Sequence, residues 1–305
     1  MKNYQMHLLA IASTAVGFGL LAVHAKPDRW SLLHAEQQRQ AEVVFEQTLD
    51  LRPGGTLSVD VADADVIIET DGRTPTIRVE VEAHDRAWGR TVFERMQLEV
   101  RDEQNAVTVT ARDPRVTERE WREHRGVGVA VRLTVPRTLD VELKTGDGDI
   151  ELSSLDGSVR IETGDGDVDV GSLTGPDISI ESTDGDLYAV ALEAERIHLQ
   201  TRDGDILARR VAGPLTATTG DGDVSVHLLT PAETTIRTGD GDIDLTTDGR
   251  FGLSLDLDGE DVIVPRSLEI DGIKREGRVR GDVNGGGPSI VAATGDGTIL
   301  MRVGG

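Results

Sequence analysis

The sequence predicts an all-β chain wound as a parallel β-helix, or β-solenoid, of either hand, with rungs of 18 or 19 residues. Three observations predict it. The hexapeptide TGDGDI (Thr145–Ile150) returns as TGDGDV (Thr163–Val168), STDGDL (Ser182–Leu187), TRDGDI (Thr201–Ile206), TGDGDV (Thr219–Val224), TGDGDI (Thr238–Ile243) and TGDGTI (Thr294–Ile299). Its last Asp falls at 149, 167, 186, 205, 223 and 242, in steps of 18, 19, 19, 18 and 19, and a fixed period in this range marks a repeat architecture. Apolar residues then follow each corner at constant offsets. One position on stand Ile150, Val168, Leu187, Ile206, Val224 and Ile243; three on, Leu152, Val170, Ala189, Ala208, Val226 and Leu245; six on, Leu155, Leu173, Leu192, Val211 and Leu229. A second alternating pair, such as Val159/Ile161 and Ile178/Ile180, completes a unit of strand, turn, strand, turn. An antiparallel meander is the competing arrangement, since Asp-Gly favours tight hairpins. The solenoid is preferred because only stacked rungs require the same residue at the same phase.

In chain order, Met1–Ala25 reads as a secretory signal peptide: Lys2, an apolar run over Leu8–Val23, and Val23-His24-Ala25 before a polar flank. An uncleaved anchor is the alternative, although the run is short for a full span. On the first reading the mature chain starts near Lys26 and is periplasmic or extracellular, with no membrane insertion after cleavage. Residues 26–42 form a lead-in segment that turns into a strand near Val43–Leu51. Residues 43–305 make one solenoid domain. In it 43–136 is an irregular β cap, 137–255 holds the regular TGDGD rungs, and 256–305 holds an irregular segment and a C-terminal rung that closes the far end. TLSVDV, DVIIET, TIRVEVEA, QLEVR, AVTVTAR and VAVRLTVP alternate apolar and polar residues, as half-buried strands do. Gly54-Gly55 and Asp71-Gly72 punctuate them. Asp113–Gly126 is a charged excursion, an exposed loop or short helix; its Trp121 is either a contact residue or a ring lying over the end of the core.

Inside the hexapeptide, Gly146 and Gly148 are expected to supply positive φ for a sharp turn, and Asp to bond its own backbone nearby. The Thr145 hydroxyl is expected to reach the next Thr of the stack. Thr183 and Arg202 replace the first Gly in two copies, so the second Gly is the stricter requirement.

Composition bounds the function. Aromatics are only 3%, so the core is aliphatic, and the chain has no cysteine; disulfides, a lipidated N-terminal Cys and thiolate metal sites are excluded. The net charge is −23, and Lys144–Arg250 holds 23 acidic against 8 basic residues. Such a surface repels nucleic acid and anionic headgroups. Stacked carboxylates about 5 Å apart repel by about 3 kcal/mol at a surface-like dielectric. The Asp147, Asp165, Asp184, Asp203, Asp221 and Asp240 ladder is therefore a place where Ca²⁺ would gather, giving a Ca²⁺-stabilised module as one alternative. The spacing matches neither the calcium-binding nonapeptide nor an EF-hand loop. Paired carboxylates also occur in polysaccharide-active β-helix enzymes, the other alternative, but the invariant period leaves no long loops to wall a groove. His198 and His227 are isolated, and no Ser/His/Asp set, phosphate loop, HExxH or basic patch is read, Arg209-Arg210 being a single pair in an acidic field. No catalytic, cofactor-binding or metal residue is assigned. The composition fits a non-enzymatic scaffold or binding module for an envelope protein or glycan, without a cofactor.

VRLTVPRTLDVELKTGDGDIEL (Val131–Leu152), the rungs that follow and GGGPSIVAATGDGTILM (Gly285–Met301) together resemble the bacterial domain-of-unknown-function 4097 family, a group labelled as proposed adhesins. The resemblance covers about 43–303. It implies an exported β-solenoid with an adhesive or surface role and transfers no catalytic or ligand residue.

Overall fold

A computed structural model describes residues 40–70, 74–124 and 126–304. The export signal expected at 1–25, most of the lead-in segment and the Asp71-Gly72 turn lie outside them. Among the described residues no helix is long and apolar enough to cross a membrane. The fold is all-β among the described residues, with the strands hydrogen-bonded into one open 24-stranded sheet that turns at the hexapeptide corners. The strand expected near Val43 begins earlier, as Gln40–Thr48.

Strands that lead into a corner stack in parallel and in register. Leu143 lies beside Ile161, Ile161 beside Ile180, Ile180 beside Leu199, Leu199 beside Ala217 and Ala217 beside Ile236. Strands that leave a corner do the same, with Ile150, Val168, Leu187, Ile206, Val224, Ile243 and Ile299 side by side in that order. Every pairing between repeats is parallel, so the meander is excluded. Each column is buried and aliphatic, so the core is a thin slab running along the stack. A shorter column of Leu155, Leu173, Leu192 and Val211 closes the third side. Here the alignment slips by one at its last member. Leu228, not Leu229, pairs with Val211 across a register shift, and Leu229 is left exposed.

Stack order departs from chain order at both ends. At the C-terminal side, Ser289–Ala293 and Thr298–Gly304 were expected to close the stack. They instead insert between the level of Thr234–Arg237 and Ile243–Asp248 and the level of Leu253–Asp258 and Asp261–Ile263. The hairpin Ile270–Arg275/Arg278–Val283 then covers Leu253–Asp258 in antiparallel fashion. At the other end Gly55–Val61 and Asp65–Glu69 lie between Leu139–Leu152 and the level of Ala106–Ala111 and Val127–Thr134. Antiparallel Glu99–Glu103, Thr76–Ala83 and Gln40–Thr48 finish that end. Each terminus of the stack is thus an inserted parallel level followed by antiparallel strands, which hides the backbone edge of the regular levels.

Helix α1 (Arg86–Met96) has no counterpart in the sequence expectations. Asp85 caps it, its carboxylate accepting from the Ala87 and Trp88 N–H groups, and Gln97 ends it in the left-handed region. Trp88, Val92 and Met96 recur every fourth residue and are its buried side. Helix α2 (Glu118–His124) falls in the charged excursion and buries nothing.

Candidate functional site

The corners were the first candidate, and the structure gives them a structural role. None of the hexapeptide glycines has positive φ, contrary to expectation. They are glycine because the next level lies too close for a side chain. A Cβ on Gly166, Gly185, Gly204, Gly222, Gly241 or Gly297 would stand 1.9–2.1 Å from the carbonyl oxygen of the equivalent glycine below. At the first glycine the same distance is about 2.5 Å, as at Gly220 and Gly239; a Cβ there still requires a shift, but a smaller one, and Thr183 and Arg202 occupy this place in two levels. The threonine hydroxyls do not reach one another. Each is buried and donates to a carbonyl of the level below, such as Thr219 to Gly204 (2.9 Å), Thr238 to Gly222 (2.8 Å) and Thr294 to Gly241 (2.7 Å). The same oxygens accept from the N–H of the second glycine of their own corner.

The second aspartates form a continuous ladder. One carboxylate oxygen of each accepts the backbone N–H one level up: Asp149 from Asp167, Asp167 from Asp186, Asp186 from Asp205, Asp205 from Asp223, Asp223 from Asp242 and Asp242 from Thr298, at 2.7–2.9 Å. Charge-assisted bonds of this kind offset the repulsion between neighbouring carboxylates. Asp186→Ala removes the acceptor for the Asp205 N–H and is expected to cost about 1–2 kcal/mol in chemical denaturation, with Asp186→Asn recovering most of it.

The ladder starts at Asp65, whose oxygen accepts the Asp149 N–H at 3.2 Å. Val61–Val66 (VADADV) is therefore a further corner, with alanines in the glycine places, in register with Thr145–Ile150. Ala64 fits because the adjoining level, Ala106–Ala111 and Val127–Thr134, is joined by the α2 excursion and puts no corner beneath it. Burial raises the Asp65 pKa, the charges of Asp149, Glu151 and Glu82 add to the rise, and the Asp149 N–H opposes it. A folded-state value above the unfolded one means that ionising Asp65 costs stability as pH rises through that window. Asp65→Asn keeps the acceptor and loses the charge. It is expected to melt about 2 °C above the parent at pH 7, with the difference gone below about pH 4.

The first aspartates, Asp147, Asp165, Asp184, Asp203, Asp221 and Asp240, all point to solvent. Arg202 bridges two of them, Asp184 at 2.6 Å and Asp203 at 3.4 Å. Among the described residues no group of three or more acidic or histidine side chains is placed to hold a metal ion.

The candidate site lies at the N-terminal end of the stack. Arg95, Gln97, Arg112, Asp113, Pro114 and Arg115 line an open basin of about 620 Å³. The end of α1 supplies Arg95 and Gln97, and the Met96 carbonyl accepts the Arg112 N–H at 2.7 Å, which joins the helix to the strand ending at Ala111. Arg115 has φ +51, and its N–H is held by the Asp113 carboxylate. Arg95 pairs with Glu120 at 2.9 Å and lies 5.1 Å from the Trp88 ring centroid, and Trp88 stacks on His124 with centroids 4.3 Å apart. The Arg95 guanidinium, helped by the Thr117 N–H and hydroxyl, holds the Glu120 carboxyl down to about 2. Arg112 and Arg115 make no salt bridge among the described residues and are exposed. Trp121 is 57% exposed on α2. The ring that closes the core end is Trp88 instead, at 7%. A second, smaller basin of about 380 Å³ shares Gln97 and Arg112 and adds Asp60, Glu99 and Thr110. Sequence reasoning missed this site because Arg95 lies on a segment given no element, Arg112 at the end of the strand AVTVTAR and Arg115 in the charged excursion, and the three become neighbours only through α1.

The model of a family described as Toastrack DUF4097 matches residues 55–299. No curated protein matches the chain. Three solved structures are similar in outline. A proposed adhesin of Bacteroides fragilis is 15% identical, covering 87% of this chain and 98% of its own, at a TM-score of 0.45. A proposed adhesin of Parabacteroides merdae is 13% identical, covering 86% and 95%, at 0.41. A proposed lipid-binding protein of Parabacteroides distasonis is 12% identical, covering 85% and 96%, at 0.35. At these scores none of them carries a residue-level or functional argument.

Proposed function

We propose, from the premise that this chain belongs to the Toastrack DUF4097 family, that it is a non-enzymatic binding and scaffold module exported to the bacterial cell envelope, adhesin-like in role. On this reading the parallel levels are rungs of one solenoid, 18 or 19 residues each in the regular part, and they serve as a stiff spacer. The contact point is the N-terminal basin, and its ligand is an acidic glycan.

The observation that supports this reading most is electrostatic. Arg112 and Arg115, unpaired, stand with Arg95 around one basin on a chain of net charge −23. The acidic face of the regular levels repels a polyanion, so an acidic chain is held at this end rather than along the stack. Guanidinium groups suit carboxylates because they offer paired donors in a plane.

Titration calorimetry with polygalacturonate as the acidic probe and dextran as the neutral one tests it. Polygalacturonate is expected to bind, dextran not to bind, and Arg112→Ala/Arg115→Ala to weaken binding by about tenfold or more, with a similar loss at raised salt. Equal binding by the variant refutes the site. Release of new reducing ends from the probe refutes the non-enzymatic reading.

A further inference from the structure

The strand Ile270–Arg275 is the outermost strand at the C-terminal end of its sheet. It pairs with Arg278–Val283 on one side and with no described strand on the other. A free edge of this kind offers unpaired N–H and C=O groups, and proteins ordinarily blunt it with like charges, proline or a bulge. This one carries a single such device, Lys274 on the inner face opposite Val279, and its outward face is not uniformly charged. Its outward face reads Asp271, Ile273, Arg275: negative, apolar, positive. Ile273 is 57% exposed.

The charges on that face are mismatched within the chain. The register places Asp271 opposite Asp282, Ile273 opposite Arg280 and Arg275 opposite Arg278. Like charges directly opposite one another destabilise a strand pair. The partners in the next strands are already engaged, with Arg278 on Asp256 and Asp258 and the Asp282 carboxylate accepting from Ser254. Neither Asp271 nor Arg275 has an ion-pair partner among the described residues.

We infer that this edge is the interface of a homodimer, in which Ile270–Arg275 of one copy pairs antiparallel with the same strand of a second copy about a two-fold axis at Ile273. Antiparallel pairing centred on residue 273 sets Asp271 opposite the second copy's Arg275, Arg275 opposite its Asp271, and Ile273 opposite Ile273. Each mismatched charge gains an opposite neighbour, and the exposed isoleucine is covered by its own equivalent. The interface is isologous, as a two-fold contact requires. Shifting the register by two residues in either direction breaks both charge pairs, and the one shift that offers Arg275 a new partner uses Glu269, outside the strand, so the strand itself favours this alignment. The sheet of one copy then continues into that of the other, placing the two N-terminal basins at the far ends of the assembly.

Sedimentation of the purified chain and of three variants tests this. The parent is expected to sediment at twice the monomer mass. Arg275→Asp, which sets Asp against Asp twice, is expected to weaken association by about tenfold or more, and Asp271→Arg/Arg275→Asp, which exchanges the charges, to restore it. A merely misfolded Arg275→Asp chain would not be rescued by a second substitution. Ile273→Cys gives an independent reading, because the chain has no other cysteine. Directly opposite antiparallel residues have Cα atoms about 4.5–5.5 Å apart, within reach of a disulfide. Oxidation is expected to yield a covalent dimer that reductant dissolves, with Asp203→Cys yielding none at the same concentration. A parent that stays monomeric, an Arg275→Asp chain that dimerises as well as the parent, a charge exchange that fails to restore association, or cross-linking no better at 273 than at 203 would each overturn the assignment.

Discussion

Gly185→Ala is expected to destabilise the chain by about 3 kcal/mol or more, lowering its melting temperature by roughly 6–12 °C in a thermal scan. The added methyl would stand 1.9 Å from the Gly166 carbonyl oxygen and 2.5 Å from its carbon. Backbone cannot swing aside as a flexible side chain does, so relief means parting two levels. That breaks the bonds that cross the gap, including those from the Ser182 hydroxyl to the Gly164 and Gly166 carbonyls. Gly239→Thr is the control. Its Cβ would stand 2.5 Å from the Gly220 carbonyl oxygen, so a shift is needed here too, but Thr183 at the equivalent first position makes that shift naturally, and the cost is expected to be clearly smaller than at Gly185. If both substitutions cost the same, close approach is not the reason for the second glycine.

Leu173→Ala is expected to cost about 2–5 kcal/mol in denaturant. Leu173 is 1% exposed and lies between Leu155 and Leu192 on the narrow third side. Neighbouring levels are locked in register by their ladders, so they collapse little into the gap, and the cavity remains. Leu229→Ala, at a residue 38% exposed, is expected to change stability by less than about 0.5 kcal/mol. That contrast also checks the one-residue slip that puts Leu228 rather than Leu229 inside.

The regular levels were legible in the sequence because the stack imposes the same chemistry at the same phase. A buried hydroxyl, a glycine above a carbonyl and a carboxylate beneath an N–H must recur in every level. The reasons for each residue were not legible, because they come from the neighbouring level and not from the turn itself. Positive φ is a property one reads within a chain; a carbonyl 2 Å away belongs to residues 18 or 19 positions earlier. VADADV escaped notice for a related cause. With no corner beneath Ala64, nothing there demands glycine, and the motif loses its signature while keeping its place in the Asp ladder.

The two ends were illegible for a topological reason. Ser289–Ala293 pairs with Thr234–Arg237 across more than fifty residues, and no local pattern announces that a later segment slips between two earlier ones. Helix α1 left a weak trace, since Gly89 interrupts it and its buried side is only Trp88, Val92 and Met96 with that glycine. The Asp85 cap and the fourfold spacing were the available signals. The candidate site depends on that helix. Arg112 and Arg115 are plain in the sequence as charges, but only the docking of Met96 on Arg112 makes a basin of them.

Pulsed electron-electron double resonance between spin labels on the exposed first aspartates tests the stacked arrangement most directly. One label replaces Asp147 and the other replaces Asp221, Asp240 or Asp296 in turn. At about 4.8 Å per level, separations near 19, 24 and 29 Å are expected, because these residues lie four, five and six levels away. The 56-residue step from Asp240 to Asp296 therefore adds one level only. A separation for Asp296 that exceeds the Asp240 value by several levels, or values that do not rise evenly, would contradict the in-register stack.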